Sequence, residues 1–510
     1  MPSSSSTPST SRQQPFCGGL CPSPPRLWIY STICLLLYGF FKEFKPSEAF
    51  LTPYLRSEDE GKNFSSHQVN DLIYPVWTYS YLISAIFVFL LTDLIRYNPI
   101  IIIETLSYIT TRLLLIWGTS VFSQQMMQVA YGIATATEVG YFSYIYSAVP
   151  FEYYERITGP VRAAVLFGRS FGAFAGQIAY SNGLLDFYGL NYFSFASVCV
   201  AAVFAVLLPW YFKAPCQKPP RNLYVNFSTE LEEVSPPEAP PSILKGWLYK
   251  WKDFRKFYTK PTLLRWSLWW AFGMCGMLQV GNYVQSLWKH INEENGDEDA
   301  VHKRYQLNGL VEGTTDLFAA LTAVLASLLK VNWPVWGEIT MGSLSLLATV
   351  VLFISSYSHI VYVAYACHVI YRSTFAFVIT IASSQISINV DYESYGLIFG
   401  FNTLVALVLQ TVLTAIVNSW LELYVRTQFV IYGCYYYVLT ILFVFAGVYK
   451  ISKTGILSSC KQCWLSKSRQ RLNSVRESMI QYSESSSSET SSEDEVIEPD
   501  KITQSMQPVA

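Results

Sequence analysis

The stretch Leu344-Ser345-Leu346-Leu347-Ala348-Thr349-Val350-Val351-Leu352-Phe353-Ile354 carries no ionisable side chain. Read outward, it belongs to an apolar segment of about 334–356. A helix needs about 20 residues to cross the ~30 Å hydrocarbon core of a bilayer, so this segment is long enough to span. The same signature recurs along the chain, and spans are expected at about 27–43, 72–93, 98–117, 123–149, 160–182, 190–212, 262–288, 308–329, 334–356, 358–387, 394–417 and 427–449. A membrane β-barrel would alternate apolar and polar residues over strands of about ten. These runs are continuous and about twice that length. The expectation is an all-α membrane protein of twelve transmembrane helices with the lipid bilayer as its surroundings. Composition agrees: of 510 residues, 51% are apolar and 14% charged, where a soluble domain carries about 25% charged. Lys+Arg 35 against Asp+Glu 36 leaves a net charge of −1, and no nucleic-acid partner is expected.

Most connections between the spans are short. The exception, 213–261, carries Pro215, Pro219, Pro220, Pro236, Pro237 and Pro240 and reads as a linker. It divides the spans six and six, an arrangement common in transporters built from two similar halves. The expected organisation is therefore a tail at 1–26, a six-helix bundle at 27–212, the linker at 213–261, a second six-helix bundle at 262–449, and a tail at 450–510. With the N-terminus in the cytoplasm, inside segments carry 23 Lys and Arg against 7 outside, in keeping with the positive-inside rule. In that count Arg162, at the inner edge of span five, is counted with its inside loop, and Lys45 with the first outside loop. The sequon Asn63-Phe64-Ser65 then lies outside and is expected to be glycosylated, whereas Asn226-Phe227-Ser228 lies in the cytoplasmic linker and is expected to stay bare. Both termini are placed in the cytoplasm.

No cleavable signal peptide is expected, because the first apolar stretch is long enough to span. The ten cysteines avoid the outside loops, so no extracellular disulfide framework is implied. Cys460 and Cys463, shortly after the last span, are either palmitoylated or free thiols. The Ser-rich acidic stretch 483–495 reads as a disordered tail, phosphorylated or simply solvated.

Ionisable groups inside spans are costly and face a cavity or a partner. They are Glu104, Arg112, Glu138, Arg169, Glu312, Asp316 and Arg372. Glu138 stands near the middle of span four behind small residues that allow close helix approach, with Tyr141 three residues on, on the same face. A buried carboxylate beside an aromatic ring suits a flat cationic solute; the competing reading is a structural ion pair with Arg169 or Arg372. Glu312 and Asp316 share a face of span eight, where they either attract cations to the mouth or meet outside water. Arg112 lies near the outer end of its span, within reach of snorkelling or of a structural role. The run Gln279 to Trp288, with Asn282 at its centre, concentrates amides and aromatics that orient a polar ligand or join helices. Trp77 and Tyr79 are either site aromatics or interface anchors.

No catalytic set competes with transport. The chain has no GxxxxGK[ST], no GxSxG and no HExxH, and its five His lack metal-ligand spacing. It is read as no enzyme, with no cofactor and no metal, leaving ion-coupled or facilitated transport.

Several stretches resemble a known family: Gly39-Phe40-Phe41-Lys42-Glu43-Phe44-Lys45-Pro46-Ser47-Glu48-Ala49-Phe50-Leu51-Thr52-Pro53-Tyr54-Leu55, Tyr74-Pro75-Val76-Trp77-Thr78-Tyr79, Asp93 to Pro99, the Glu138 segment, Asn282-Tyr283-Val284-Gln285, Tyr395 to Thr403, and Leu409-Gln410-Thr411. Over about 27–450 the chain is similar to the reduced folate carrier and thiamine transporter family. The resemblance implies a major-facilitator fold of twelve helices and uptake of a water-soluble vitamin at the plasma membrane. Within the family, thiamine transporters carry glutamate at the position of Glu138 and the folate carrier an arginine. The folate carrier also has a lysine where this chain has Tyr392. By resemblance the substrate-binding residues are Glu48, Trp77, Glu138, Tyr141, Asn282 and Glu312. The chain departs from the family at Arg112, which stands where other members have a Trp.

The leading expectation is a thiamine importer working by alternating access, in exchange for protons, since either a proton or a cation neutralises a buried carboxylate. The alternative is a carrier of folate or another organic anion, motivated by Arg112, Arg169 and Arg372. A remoter one is a receptor or scaffold that does not transport.

Overall fold

The structure, a computed structural model, describes residues 25–58, 61–65, 67–210, 254–255, 257–294, 300–390, 394–421 and 423–454. Cys460, Cys463, Asn226, Tyr392, the acidic tail and nearly all of the linker lie outside the described residues. Among those described there is no β-strand. The main helices are α1 (Pro25–Glu43), a short α2 (Leu51–Arg56), α3 (Tyr74–Ile95), α4 (Tyr97–Trp117), α5 (Val121–Ala148), α6 (Tyr154–Ser181), α7 (Phe187–Leu207), α8 (Pro261–Glu294), α9 (Ala300–Leu328), α10 (Trp333–Tyr357), α11 (Val361–Asn389), α12 (Tyr395–Thr414) and α13 (Val425–Thr454).

Nine of the described helical segments are long and apolar enough to cross a membrane, by length and composition. The expected spans 123–149, 160–182 and 262–288 fall on α5, α6 and α8, which are long enough but more polar. The cause is visible in α5, where Gln124, Gln128, Thr137, Ser143 and Ser147 are all buried. Buried polar side chains lower the mean hydropathy of such a helix.

Chain contacts divide the molecule at Gly447. In the unit before it, α1 packs on α6 and α7, α3 and α4 on α5, α8 on α11 and α12, and α9 and α10 on α11. The principal contacts between the earlier and later helices are α6 with α9 and α3 with α12. In the second unit, α13 runs on to Thr454.

The break after α1 shapes the site. Pro46 has no N–H to give, so the helical ladder stops at Glu43 and a 3-10 turn, Glu48–Phe50, leads into α2. The expected first span therefore continues as a broken helix rather than ending in a solvated loop. Glycines on α6 hold the break in place. Gly168, Gly172 and Gly176 are spaced four apart on one ridge, and a Cβ on each would strike backbone of Phe40, Lys45 and Pro46. Only glycine admits this approach.

Candidate substrate site

Lys42, on the last turn of α1, is 1% accessible. Its ammonium meets Glu104 Oε1 of α4 at 2.5 Å and Glu138 Oε1 of α5 at 3.3 Å. It also lies 4.3 Å from the ring centroid of Tyr141. The Tyr38 hydroxyl donates to Glu104 Oε2 at 2.9 Å and receives the Thr105 hydroxyl at 3.0 Å.

A second charge cluster follows in the break. Glu43 accepts from Arg169 Nε at 2.8 Å and from the Tyr108 hydroxyl at 3.2 Å, with Lys45 Nζ at 3.4 Å. Lys45, 4% accessible, lies over the rings of Tyr108 and Tyr131 at 4.3 Å and 5.5 Å. Glu48 closes the series: Arg112 donates to it at 2.6 Å and the Tyr131 hydroxyl at 3.3 Å. These are charge-assisted contacts in a mostly desolvated setting, where an unpaired charge would be expensive.

Four of the six expected site residues are thus joined through one set of neighbours. Trp77 of α3 belongs to it by its Nε1 bond to Thr135 at 3.4 Å and a ring contact with Tyr131 at 6.1 Å. Tyr141 is fully buried and its hydroxyl donates to Val161 O at 2.9 Å, so the ring face read as a ligand platform carries the Lys42 ammonium here. The other two stand apart. Asn282 on α8 is exposed and Glu312 on α9 half-buried, and neither shares a hydrogen bond or ring contact with the first four. Glu312 nonetheless adjoins Gly313, whose carbonyl accepts the Ser170 hydroxyl of α6 at 2.7 Å, one residue from Arg169.

Several readings of single residues change. Glu138 pairs with neither Arg169, which takes Glu43, nor Arg372, which takes Asp316 at 3.2 Å. Arg112 does not snorkel; it is 2% accessible and held by Ser47 and Glu48. Lys45 is no solvated loop charge. Arg162, placed at the inner edge of span five, sits two turns inside α6, donating to Ser383 at 3.2 Å, with Phe142 4.7 Å away. Its Nε has no partner, and it makes no ion pair among the described residues. It lines a small cavity with Tyr146, Thr158, Trp270, Ser383 and Phe399. Around this cavity the earlier and later helices meet closely. The Tyr395 hydroxyl donates to Tyr154 at 3.2 Å and Gln385 to Glu155 at 2.9 Å.

Carboxylates, ammonium and guanidinium groups with aromatic walls are thus brought together along α1, α4, α5 and α6. Residues 26–431 match the reduced folate carrier family. The chain belongs to that family. Thiamine transporter 2 of Macaca fascicularis is 37% identical over 470 residues, covering 85% of this chain and 92% of the relative. Human thiamine transporter 1 is 37% identical over 462 residues, with 84% and 91% covered. Folate transporter 1 of Caenorhabditis elegans is 36% identical over 427 residues, with 82% and 92% covered. Among solved structures, the human organic anion transporter TETRAN superposes with a TM-score of 0.57 at 13% identity, covering 82% of this chain and all of that one. That likeness gives this reduced folate carrier family member a major-facilitator-like fold. Its relatives are transporters, not enzymes, and the family carries vitamins across membranes.

Sequence reasoning missed Lys42, Glu43, Lys45 and Arg162. A signal was present for the first three. The apolar pattern resumes at Ala49–Leu55 after Pro46, which marks a kinked continuation of the span and puts Lys42–Lys45 inside it.

Proposed function

We propose that this carrier is a plasma-membrane secondary transporter that imports thiamine by alternating access, in exchange for protons. The observation that carries the reading is the Glu138 carboxylate. It lies deep in α5, 23% accessible, beside an aromatic ring already engaged with a cation. A thiazolium satisfies both the carboxylate and a π face. In this reading residues 27–212 and 262–449 are two six-helix bundles joined by the cytoplasmic linker 213–261, both termini are cytoplasmic, and Asn63 carries glycan outside. Glu48, Trp77, Glu138 and Tyr141 form the wall on the first bundle, and Asn282 and Glu312 approach from the second as the bundles rock. The Tyr154–Tyr395 and Glu155–Gln385 contacts then belong to the cytoplasmic end, closed while the Glu48 side is open. Proton exchange follows from Glu138 being neutralised by either a proton or the substrate.

A second reading, import of folate or another organic anion, rests on Arg162. The three arginines that first suggested it are all paired with carboxylates, whereas Arg162 has none among the described residues. Initial-rate uptake of radiolabelled thiamine and of a reduced folate in cells lacking their own carriers separates the two. Saturable thiamine entry, faster under an inside-to-outside proton gradient, is expected; folate entry without thiamine entry would reverse the assignment.

A further inference from the structure

A cation in contact with Glu138 and over the face of Tyr141 is what the proposed function asks of the substrate, and in this structure the chain's own Lys42 ammonium fills that seat. The two carboxylates it touches are not equivalent. Glu104 is fully buried, 2.5 Å from the ammonium, and fixed through its other oxygen by Tyr38. Glu138 is 0.8 Å farther off, keeps 23% of its side chain accessible, and has no other hydrogen bond among the described residues. Lys42 is therefore anchored on Glu104 and leans on Glu138, which stays partly accessible. The charges fit a two-cation arrangement. The directly contacting trio Glu104, Glu138 and Lys42 sums to −1, with the Arg162 and Arg169 guanidiniums also interacting electrostatically with Glu138, and one transported monocation leaves each carboxylate of the trio with a cation of its own.

We propose that Lys42 is a specificity-determining residue: its ammonium competes with the transported cation for Glu138 and the Tyr141 ring, and yields the seat by withdrawing onto Glu104. The inference rests on the cation-import reading. It gives the site a graded threshold, since only a cation that binds Glu138 better than the tethered ammonium displaces it, and it gives the emptied carrier a counter-ion for its reorientation.

Two variants move in opposite directions. Glu104→Gln leaves Glu138 as the sole carboxylate for Lys42, so the competitor sits more firmly in the seat. The KM for thiamine should rise about tenfold, the factor that corresponds to ~1.4 kcal/mol. The double variant Lys42→Gln with Glu104→Gln removes the competitor while keeping the local charge at −1, so long-range attraction for cations is unchanged. Its KM should fall below that of the unaltered carrier by about threefold or more, a change of ~0.65 kcal/mol. The experiment is concentration-dependent radiolabelled thiamine uptake by the full chain, with maximal rates normalised to surface-biotinylated carrier. A merely structural ion pair would make both variants worse in rate and leave their KM values unordered. A double-variant KM at or above that of the unaltered carrier overturns the inference and leaves the cation-import reading standing. If the double variant does not reach the surface, Glu104→Gln alone decides, and an unchanged or lowered KM there overturns the inference. Unaltered carrier that reaches the surface yet takes up no thiamine sinks the function reading, and this inference with it.

Discussion

Arg112 of α4 reaches across the break between α1 and α2 and donates to Glu48 at 2.6 Å, while its other terminal nitrogen donates to Ser47 at 3.0 Å. Arg112 is 2% accessible, but the Glu48 side chain is 43% accessible. The pair is thus a strut with one wet end. Removing one partner of a fully buried pair costs about 3–5 kcal/mol; water reaching Glu48 discounts that here to roughly 1–3 kcal/mol. Arg112→Ala is expected to lower the melting temperature of the purified carrier, and Arg112→Ala with Glu48→Ala to recover part of the loss. Additive losses in the double variant would show that the two do not couple.

Two glycines are expected to respond oppositely to one added methyl. A Cβ on Gly172 would lie 2.8 Å from Lys45 N, a backbone atom that cannot step aside. Gly172→Ala should cost about 1–3 kcal/mol by overpacking, and it should displace the Lys45–Glu43–Arg169 cluster. Gly281 in α8 has nothing within 4 Å of such a Cβ. Gly281→Ala should be neutral or stabilising by about 0.5–1 kcal/mol, through helix propensity and reduced unfolded-state entropy. Thermal unfolding monitored by size-exclusion chromatography checks both signs in one experiment.

Those residues also mark how far the sequence could be read. The all-helical membrane class was legible because hydropathy is a sum over twenty residues and survives local error. Glu138 was legible too, as a single charge in an apolar run needs no partner to be noticed. Its partner was not. Lys42 lies at the end of the expected first span and looks like an interfacial charge; only the kink at Pro46 and the glycine ridge of α6 put it in the interior. Arg162 was lost for a related reason. Span edges are uncertain by a few residues, and a charge within that margin defaults to the loop. Side-chain pairing across helices is three-dimensional, so the readings that matched Glu138 with Arg169 or Arg372 had no pattern to correct them.

Outside the spans, Glu294 at the end of α8 takes two bonds from Arg426, at 2.5 Å and 3.2 Å, and Arg426 also donates to the carbonyls of Ser356 and Ser358. The hydrogen bonds from Arg426 hold the Glu294 carboxyl below the usual carboxylate range. Because Arg426 closes two carbonyls as well as the ion pair, Arg426→Ala should lower the melting temperature more than Glu294→Gln. The sign of the pH effect follows from the depressed value: the carboxylate contributes above its unfolded pKa and ceases to as pH falls through its folded one. The Glu294→Gln deficit should be full at pH 7 and smaller at pH 3, below the unfolded carboxylate value of about 4.3. An equal deficit at both pH values would show that packing, not charge, is lost.

Asn63 is exposed and adopts φ 56°, a left-handed conformation that asparagine tolerates better than most residues. Its neighbours are tied down, with Lys62 N bonded to Tyr54 O and Phe64 N to Leu55 O at 2.9 Å each, and Lys62 Nζ to Ile116 O at 2.6 Å. The asparagine is presented on a fixed loop tip. Ser65→Ala removes the sequon without altering that φ, and it should increase gel mobility, as Asn63→Gln should. Asn226→Gln should change nothing. A shift from Asn226→Gln instead would invert the proposed orientation.

Glu138→Gln is the sharpest test of the site. The substitution keeps the shape of the side chain and its reach toward Lys42 Nζ, 3.3 Å away, but removes the charge that a transported cation would meet. Lys42 retains Glu104 and the fold retains its packing, so surface expression should hold. A charge-assisted contact to a cation contributes roughly 1.5–3 kcal/mol, so thiamine uptake at low concentration should fall by at least ~10-fold. Any dependence of uptake on the proton gradient should disappear with it, because the group that exchanges proton for substrate is gone. Glu138→Asp shortens the reach and should weaken uptake less. Normal, pH-sensitive thiamine entry through a correctly localised Glu138→Gln carrier would reduce Glu138 to a structural partner of Lys42 and return the substrate class to the organic anions that Arg162 favours.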